Sequence, residues 1–152
     1  MAIRSKNPQK EEKMRIKKVE NLFLIRFDEG EELILGLSTI AKDKGIKAGA
    51  FSGIGTLKDP IIGYFEKREK DYKRQTFRGE YELLLFYGNI SWHNDEPIVH
   101  AHAVISGENL LAFGGHVFSA PVSVTAEVFL TPLSQLIERK ENPLYNLKLL
   151  EF

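Results

Sequence analysis

The sequence predicts an α+β fold: a single compact domain with a mostly antiparallel, mixed sheet and one main helix packed on it. Two observations predict it. Apolar residues alternate with a period of two in one segment after another, as in half-buried strands. Only the stretch "EGEELILGLSTIAKDKGI" switches to helical spacing, and one helix among many strands favours a sheet with a helix on one face. The chain has 152 residues, 43% of them hydrophobic and 11% aromatic, enough to fill the core of one domain. Residues 1–13 are polar and read as a flexible N-terminal arm, which leaves 14–152 as the domain.

The elements follow in order. "VENLFLIRFD" is a strand, with Leu22, Leu24 and Arg26 alternating against Phe23, Ile25 and Phe27. In the helix, Leu33, Leu37, Ile40 and Ala41 share one face with Ile34 beside them. Its acidic start suits a helix N-terminus, and Gly45 after Lys42 and Lys44 is a natural stop. "AGAFSGIGTLKDP" reads as a short strand interrupted by Gly53 and Gly55, and Asp59 before Pro60 supports a turn. "IIGYFEK" is a strand, and "REKDYKRQTFRG" is a charged connection with the look of an exposed hairpin. "EYELLLFYGNISW" is a long strand broken or bent near Gly88. "EPIVHAHAVI" and "LLAFGGHVF" are strands joined by the turn "SGEN", and "VSVTAEVFL" is another. The end holds a short polar-flanked segment from Leu133 to Lys140 and a final strand, "LYNLKLLEF".

Composition narrows the function. The 21 basic and 21 acidic residues cancel, so no global field draws the chain to nucleic acid or an anionic membrane. No apolar run reaches the roughly 20 residues of a membrane span, and the charged N-terminus has no apolar signal core. A cytoplasmic protein is the expectation. Without cysteine there is no disulfide, thiolate ligand or thiol nucleophile, so any metal must be held by nitrogen and oxygen. Abundant Lys and Glu with few Gln lean towards a thermophilic source.

Three of the four histidines lie between Pro97 and Val117. Strand alternation points His100 and His102 the same way. With Gly107, Glu108 and Asn109 as a three-residue loop, Ser106 faces Leu110 and His100 faces His116, and directly opposed residues lie on one sheet face. A one-residue slip would throw His116 to the other face, and Gly114 and Gly115 could mark a bulge that restores or destroys the match. Three neutral imidazoles make a first shell for zinc with one position open; nickel, copper and iron also accept imidazole. His93, in "SWHNDEP", reads as a solvated loop residue. A strand can also carry two histidines for packing or hydrogen bonding alone.

Other features are weaker. "SGIGTL" lacks the third glycine and following helix of a dinucleotide fingerprint, and the P-loop lysine is absent. Glu82 and Glu127 sit in apolar strands, either as solvent-facing residues or as an acid or base near the histidines. Asn89 and Ser91 could hydrogen-bond a cofactor or ligand, or simply line a strand bend. No nucleophile elbow or hydrolase triad is present, so neither a reaction nor enzyme status follows.

As an ordered set, "SGIGTLKDPIIGYF", "GEYELLLFYGNIS", "PIVHAHAVIS", "GGHV" and "VTAEVFL" resemble the PPC domain, found in plants and prokaryotes and also called DUF296. The resemblance runs from about Met14 to Leu133. It implies a homotrimer, and prokaryotic members with the His-x-His and Gly-Gly-His pattern are metal binders, usually with zinc. That pattern falls on His100, His102 and His116. The family is also described as DNA-binding or nucleotide-binding. Plant members contact DNA through a separate AT-hook, which this chain lacks. Their partner-recruiting stretch matches Gly79 to Leu84 here, with Glu80 in place of arginine.

Three functions follow as expectations. The first is a trimeric zinc-binding protein with a small molecule or nucleotide at the open metal position. The second is a DNA-binding or transcription-associated module using Lys67, Arg68, Lys70, Lys73, Arg74 and Arg78, although Glu66, Glu69 and Asp71 interrupt that cluster. The third is a scaffold in which the metal only stabilises the trimer.

Overall fold

In the computed structural model, residues 14–152 are described; the arm expected at 1–13 lies outside them. The order is β1 (Arg15–Val19), β2 (Leu22–Asp28), α1 (Leu33–Asp43), β3 (Ala48–Lys58), β4 (Ile61–Glu66), β5 (Asp71–Thr76), β6 (Glu80–His93), β7 (Glu96–Ser106), β8 (Ala112–Ser119), β9 (Val122–Leu133), β10 (Glu138–Asn142) and β11 (Leu147–Glu151). They form one sheet of 11 strands, β1-β2-β9-β3-β6-β7-β8-β4-β5, with a β10–β11 hairpin attached to the end of β6. Every neighbour on the main path is antiparallel; β10 meets β6 in parallel through Glu138 and Trp92. The predicted α+β class, with a mostly antiparallel sheet and a single helix, is what the described residues form.

Alternation along the strands builds the core. Phe27, Phe51, Phe86, Ile90, Ile105 and Leu130 turn to one face and are buried with Leu33, Leu37 and Ile40 of α1. Each such side chain contributes roughly 1.5–3 kcal/mol relative to exposure. The helix start does more than complement a dipole. Glu32 is the N-cap, accepting from Leu35 N, and its other oxygen accepts from Ala120 N at 2.6 Å. One carboxylate thus caps α1 and fixes it to the end of β8.

Several segments differ from expectation, each for a physical reason. The first strand is a hairpin, because Glu20 adopts a positive φ of 51° between β1 and β2; β1 is almost wholly exposed, so it shows no alternation. Gly53 and Gly55 do not interrupt β3 but sit at its register shifts. Nor is β6 broken at Gly88: a side chain there would collide with the His100 carbonyl oxygen, so glycine lets β7 approach. The charged stretch does form a hairpin, β4–β5. Asp59 supports its expected turn, its Oδ1 accepting from Gly79 N at 2.8 Å.

The β7–β8 turn is longer than three residues. Ser106 pairs with Ala112, so residues 107–111 form the loop, with Leu110 at φ 62°. His116 therefore faces His102, not His100. The shift is two residues, one full pleat, so it keeps His116 on the same face.

Candidate metal centre

His102 and His116 are direct cross-strand partners, and His100 is one pleat along β7. One ring nitrogen from each of the three lies within 4.8 Å of the others. Ring centroids are 5.3 Å apart for His100–His102, 5.1 Å for His100–His116 and 5.5 Å for His102–His116. His102 is exposed while the other two are half-buried, so the cluster opens to solvent on one side. Next to His116, Gly115 lets β4 approach β8: a Cβ there would lie 2.5 Å from the Gly63 carbonyl oxygen of β4.

The donor set fits a transition metal. Burial lowers the pKa of His116 to about 4, helped by the neighbouring charges of His100, His102, Arg74 and Arg139. Burial also lowers that of His100, with Arg139 and His102 adding. Both rings are therefore neutral at pH 7, with lone pairs available. His116 Nδ1 is buried and has no hydrogen-bond partner among the described residues, which leaves this ring nitrogen available to an ion or a water.

A buried arginine borders the cluster. Arg139 of β10 is 7% exposed. Its Nε donates to Ser91 Oγ at 2.6 Å and its Nη1 to the Lys148 carbonyl at 2.8 Å. Its Nη2 donates to Asn89 Oδ1 at 2.9 Å and to His100 Nδ1 at 3.3 Å. Arginine has no lone pair to offer, so His100 Nδ1 is the acceptor here; it is the lone-pair nitrogen of the neutral ring, the one a metal ion would take in place of this contact. Asn89 is the cross-strand partner of His100. Asn89 and Ser91 thus reach the triad through Arg139.

Glu82 and Glu127 lie elsewhere. Glu127 is on β9, three strands from β7, or about 14 Å at ordinary strand spacing. Glu82 pairs with Ser106, about 13 Å along β7 from His102. The two acids share a separate hollow with Ile54 and Leu84. His93 is not a solvated loop residue: its side chain is 14% exposed and its Nδ1 bonds the Arg139 carbonyl at 2.8 Å, tying β10 to β6.

Two site residues escape sequence reasoning. Arg139 sits in "IERKEN", which reads as surface charge, and Tyr72 sits in the charged hairpin. Tyr72 stacks on His116 with centroids 4.7 Å apart and meets Phe118 edge-on at 5.1 Å. No local pattern marks either; both reach the site through long-range pairing.

This is a small one-helix sheet domain carrying an imidazole triad able to hold a metal ion. Residues 14–134 match the model of the Plants and Prokaryotes Conserved (PCC) domain, and the chain belongs to that family. The chain is similar to a plant- and prokaryote-conserved (PPC) protein of Pyrococcus horikoshii, at 38% identity and a TM-score of 0.81 over 95% of this chain and 98% of that one. A metal-containing protein from Archaeoglobus fulgidus matches at 32% identity and a TM-score of 0.79, over 90% and 95% of the two chains. A candidate DNA-binding protein from Bacteroides thetaiotaomicron matches at 29% identity and a TM-score of 0.88, over 91% and 97%. No match is found among curated proteins. No helix among the described residues is long and apolar enough to cross a membrane.

Proposed function

We propose that the protein is a homotrimeric metal binder that holds zinc through His100, His102 and His116 and leaves one coordination position for a small ligand. The observation that carries the metal is the convergence of three imidazole nitrogens within 4.8 Å of one another. Similarity to a metal-containing relative supports it. Three nitrogen donors with an open position are the donor set of catalytic zinc sites, and a divalent ion held there would supply Lewis acidity. Around it, Arg139 contacts His100, Tyr72 stacks against His116, and a cleft lined by His100 and His116 leads to the metal position. Self-association is supported by a run of exposed apolar side chains on the sheet face away from α1, including Ile54, Tyr87 and Phe129, and the number three is what the sequence's resemblance to the PPC domain implies.

Elemental analysis of protein purified from zinc-containing medium should give about one metal per chain. His116→Ala or His102→Ala should reduce retention at least tenfold, since each removes one of three ligands. Wild-type protein that stays metal-free after dialysis against micromolar zinc would overturn the assignment.

A DNA-binding reading draws on the relative from Bacteroides thetaiotaomicron and on the basic β4–β5 hairpin. Within that hairpin, however, Lys73 is close to both Glu66 and Glu69. If DNA is a partner, log K should fall linearly with log salt at a slope of about −0.9 per phosphate neutralised. Absence of binding at 50 mM salt would remove this reading.

A further inference from the structure

Beside the triad, a cleft of about 520 Å³ opens between the β4–β5 hairpin and the β10–β11 hairpin. Its size suits a small molecule rather than a bare ion. Its charge is one-sided: Lys70, Arg74, Arg139 and Lys148 line it, against the single acid Asp71. Asp71 is at the exposed rim, and its Oδ1 accepts from Tyr72 N in its own turn at 2.7 Å.

The two arginines are the informative residues. Arg139 is buried, and all its acceptors are neutral: a hydroxyl, a carbonyl, an amide oxygen and an imidazole nitrogen. No carboxylate among the described residues pairs with it. Buried guanidinium groups ordinarily have an anionic counterpart. Its four bonds also leave one Nη1 hydrogen without a protein acceptor. Nor does a carboxylate among the described residues pair with Arg74. Its guanidinium lies 3.8 Å from the Phe118 ring centroid. Stacking of this kind holds the plane and leaves the N–H edge free for a planar oxyanion. Phe65, Tyr72 and Leu149 supply an apolar wall between the charges.

We propose that this cleft binds a small molecule bearing an oxyanion, a carboxylate or a phosphate, held between Arg74 and Arg139 with its apolar body against Tyr72 and Phe118. The proposal rests on the metal reading only in that the anion would also reach the open metal position. The cationic cleft itself is built from this chain's own side chains. A divalent ion on neutral imidazoles beside Arg139 adds positive charge where no acid balances it, so metal should strengthen anion binding.

The test is calorimetric titration of zinc-loaded and chelator-treated protein with malonate, inorganic phosphate and adenosine monophosphate, with neutral malonamide as control. The anions should bind the zinc-loaded protein and malonamide should not; the order among the three anions distinguishes a carboxylate from a phosphate or nucleotide ligand. Arg74→Gln, at an exposed position, should weaken anion binding at least tenfold with metal content and melting temperature unchanged. No anion binding to zinc-loaded wild type, or undiminished binding to Arg74→Gln, would overturn the cleft assignment while leaving the metal reading intact. Arginine-dependent anion binding by a protein that takes up no metal would do the reverse.

Discussion

At the residue scale, His116 concentrates the tension in the site. It is half-buried between Tyr72 and Phe118, beside two other imidazoles, and burial with these neighbours lowers its pKa to about 4 from the usual 6.5. The sign follows directly. The unfolded chain takes up a proton near pH 6.5 and the folded chain only near pH 4, so protons favour the unfolded state. Stability of metal-free protein should be level above about pH 7 and fall as pH drops from 6.5 towards 4. Melting curves in chelator across that range check this. His116→Phe, which keeps the ring packing and removes the titration, should flatten the slope; an unchanged slope would assign the acid sensitivity to other groups.

At the element scale, the β10–β11 hairpin matters more than its sequence suggests. "IERKEN" looks like solvated charge, yet Arg139 enters the molecule and holds Asn89, Ser91, His100 and the Lys148 carbonyl together. Arg139→Leu would leave those acceptors short of a donor, at roughly 1–3 kcal/mol for each one that stays buried. Urea unfolding should show a loss of at least about 1 kcal/mol, and Arg139→Lys should recover part of it. Equal stability of Arg139→Leu and wild type would mean that the hairpin is an ornament. This element also marks the limit of reading from sequence. Alternation places His100 and His102 on one face because that depends on neighbouring residues alone. Parity places His116 on the same face even though the loop is five residues rather than three, because an even shift preserves the face. Arg139, Tyr72 and His93 could not be read, because their burial is set by hairpins that pack from distant parts of the chain. Glu80 also acquires its role at long range: it accepts from Ser123 Oγ at 2.7 Å.

At the scale of the whole molecule, the sheet has two unlike faces. One is covered by α1. The other leaves Ile54, Tyr87 and Phe129 exposed at 56%, 58% and 52% on three adjacent strands, and Tyr87 and Phe129 flank Ser52 from either side. A contiguous apolar patch of this kind marks an association surface. It also runs up to the metal centre, since Tyr87 is the cross-strand partner of His102. Copies of the chain meeting on this face would bury the patch and partly enclose the exposed member of the triad. On the proposed trimer, sedimentation of wild-type protein should show three copies of the 17.3 kDa chain. Tyr87→Glu with Phe129→Glu should give a monomer that remains folded, because the residues on either side (Phe86, Val128 and Leu130) carry the core contacts. A monomeric wild type would remove the trimer altogether, and a variant that stays trimeric would move the interface off this face. Zinc content of the monomeric variant then separates two arrangements: retention comparable to wild type makes the triad self-sufficient, whereas a tenfold loss makes the neighbouring copy part of the site's enclosure.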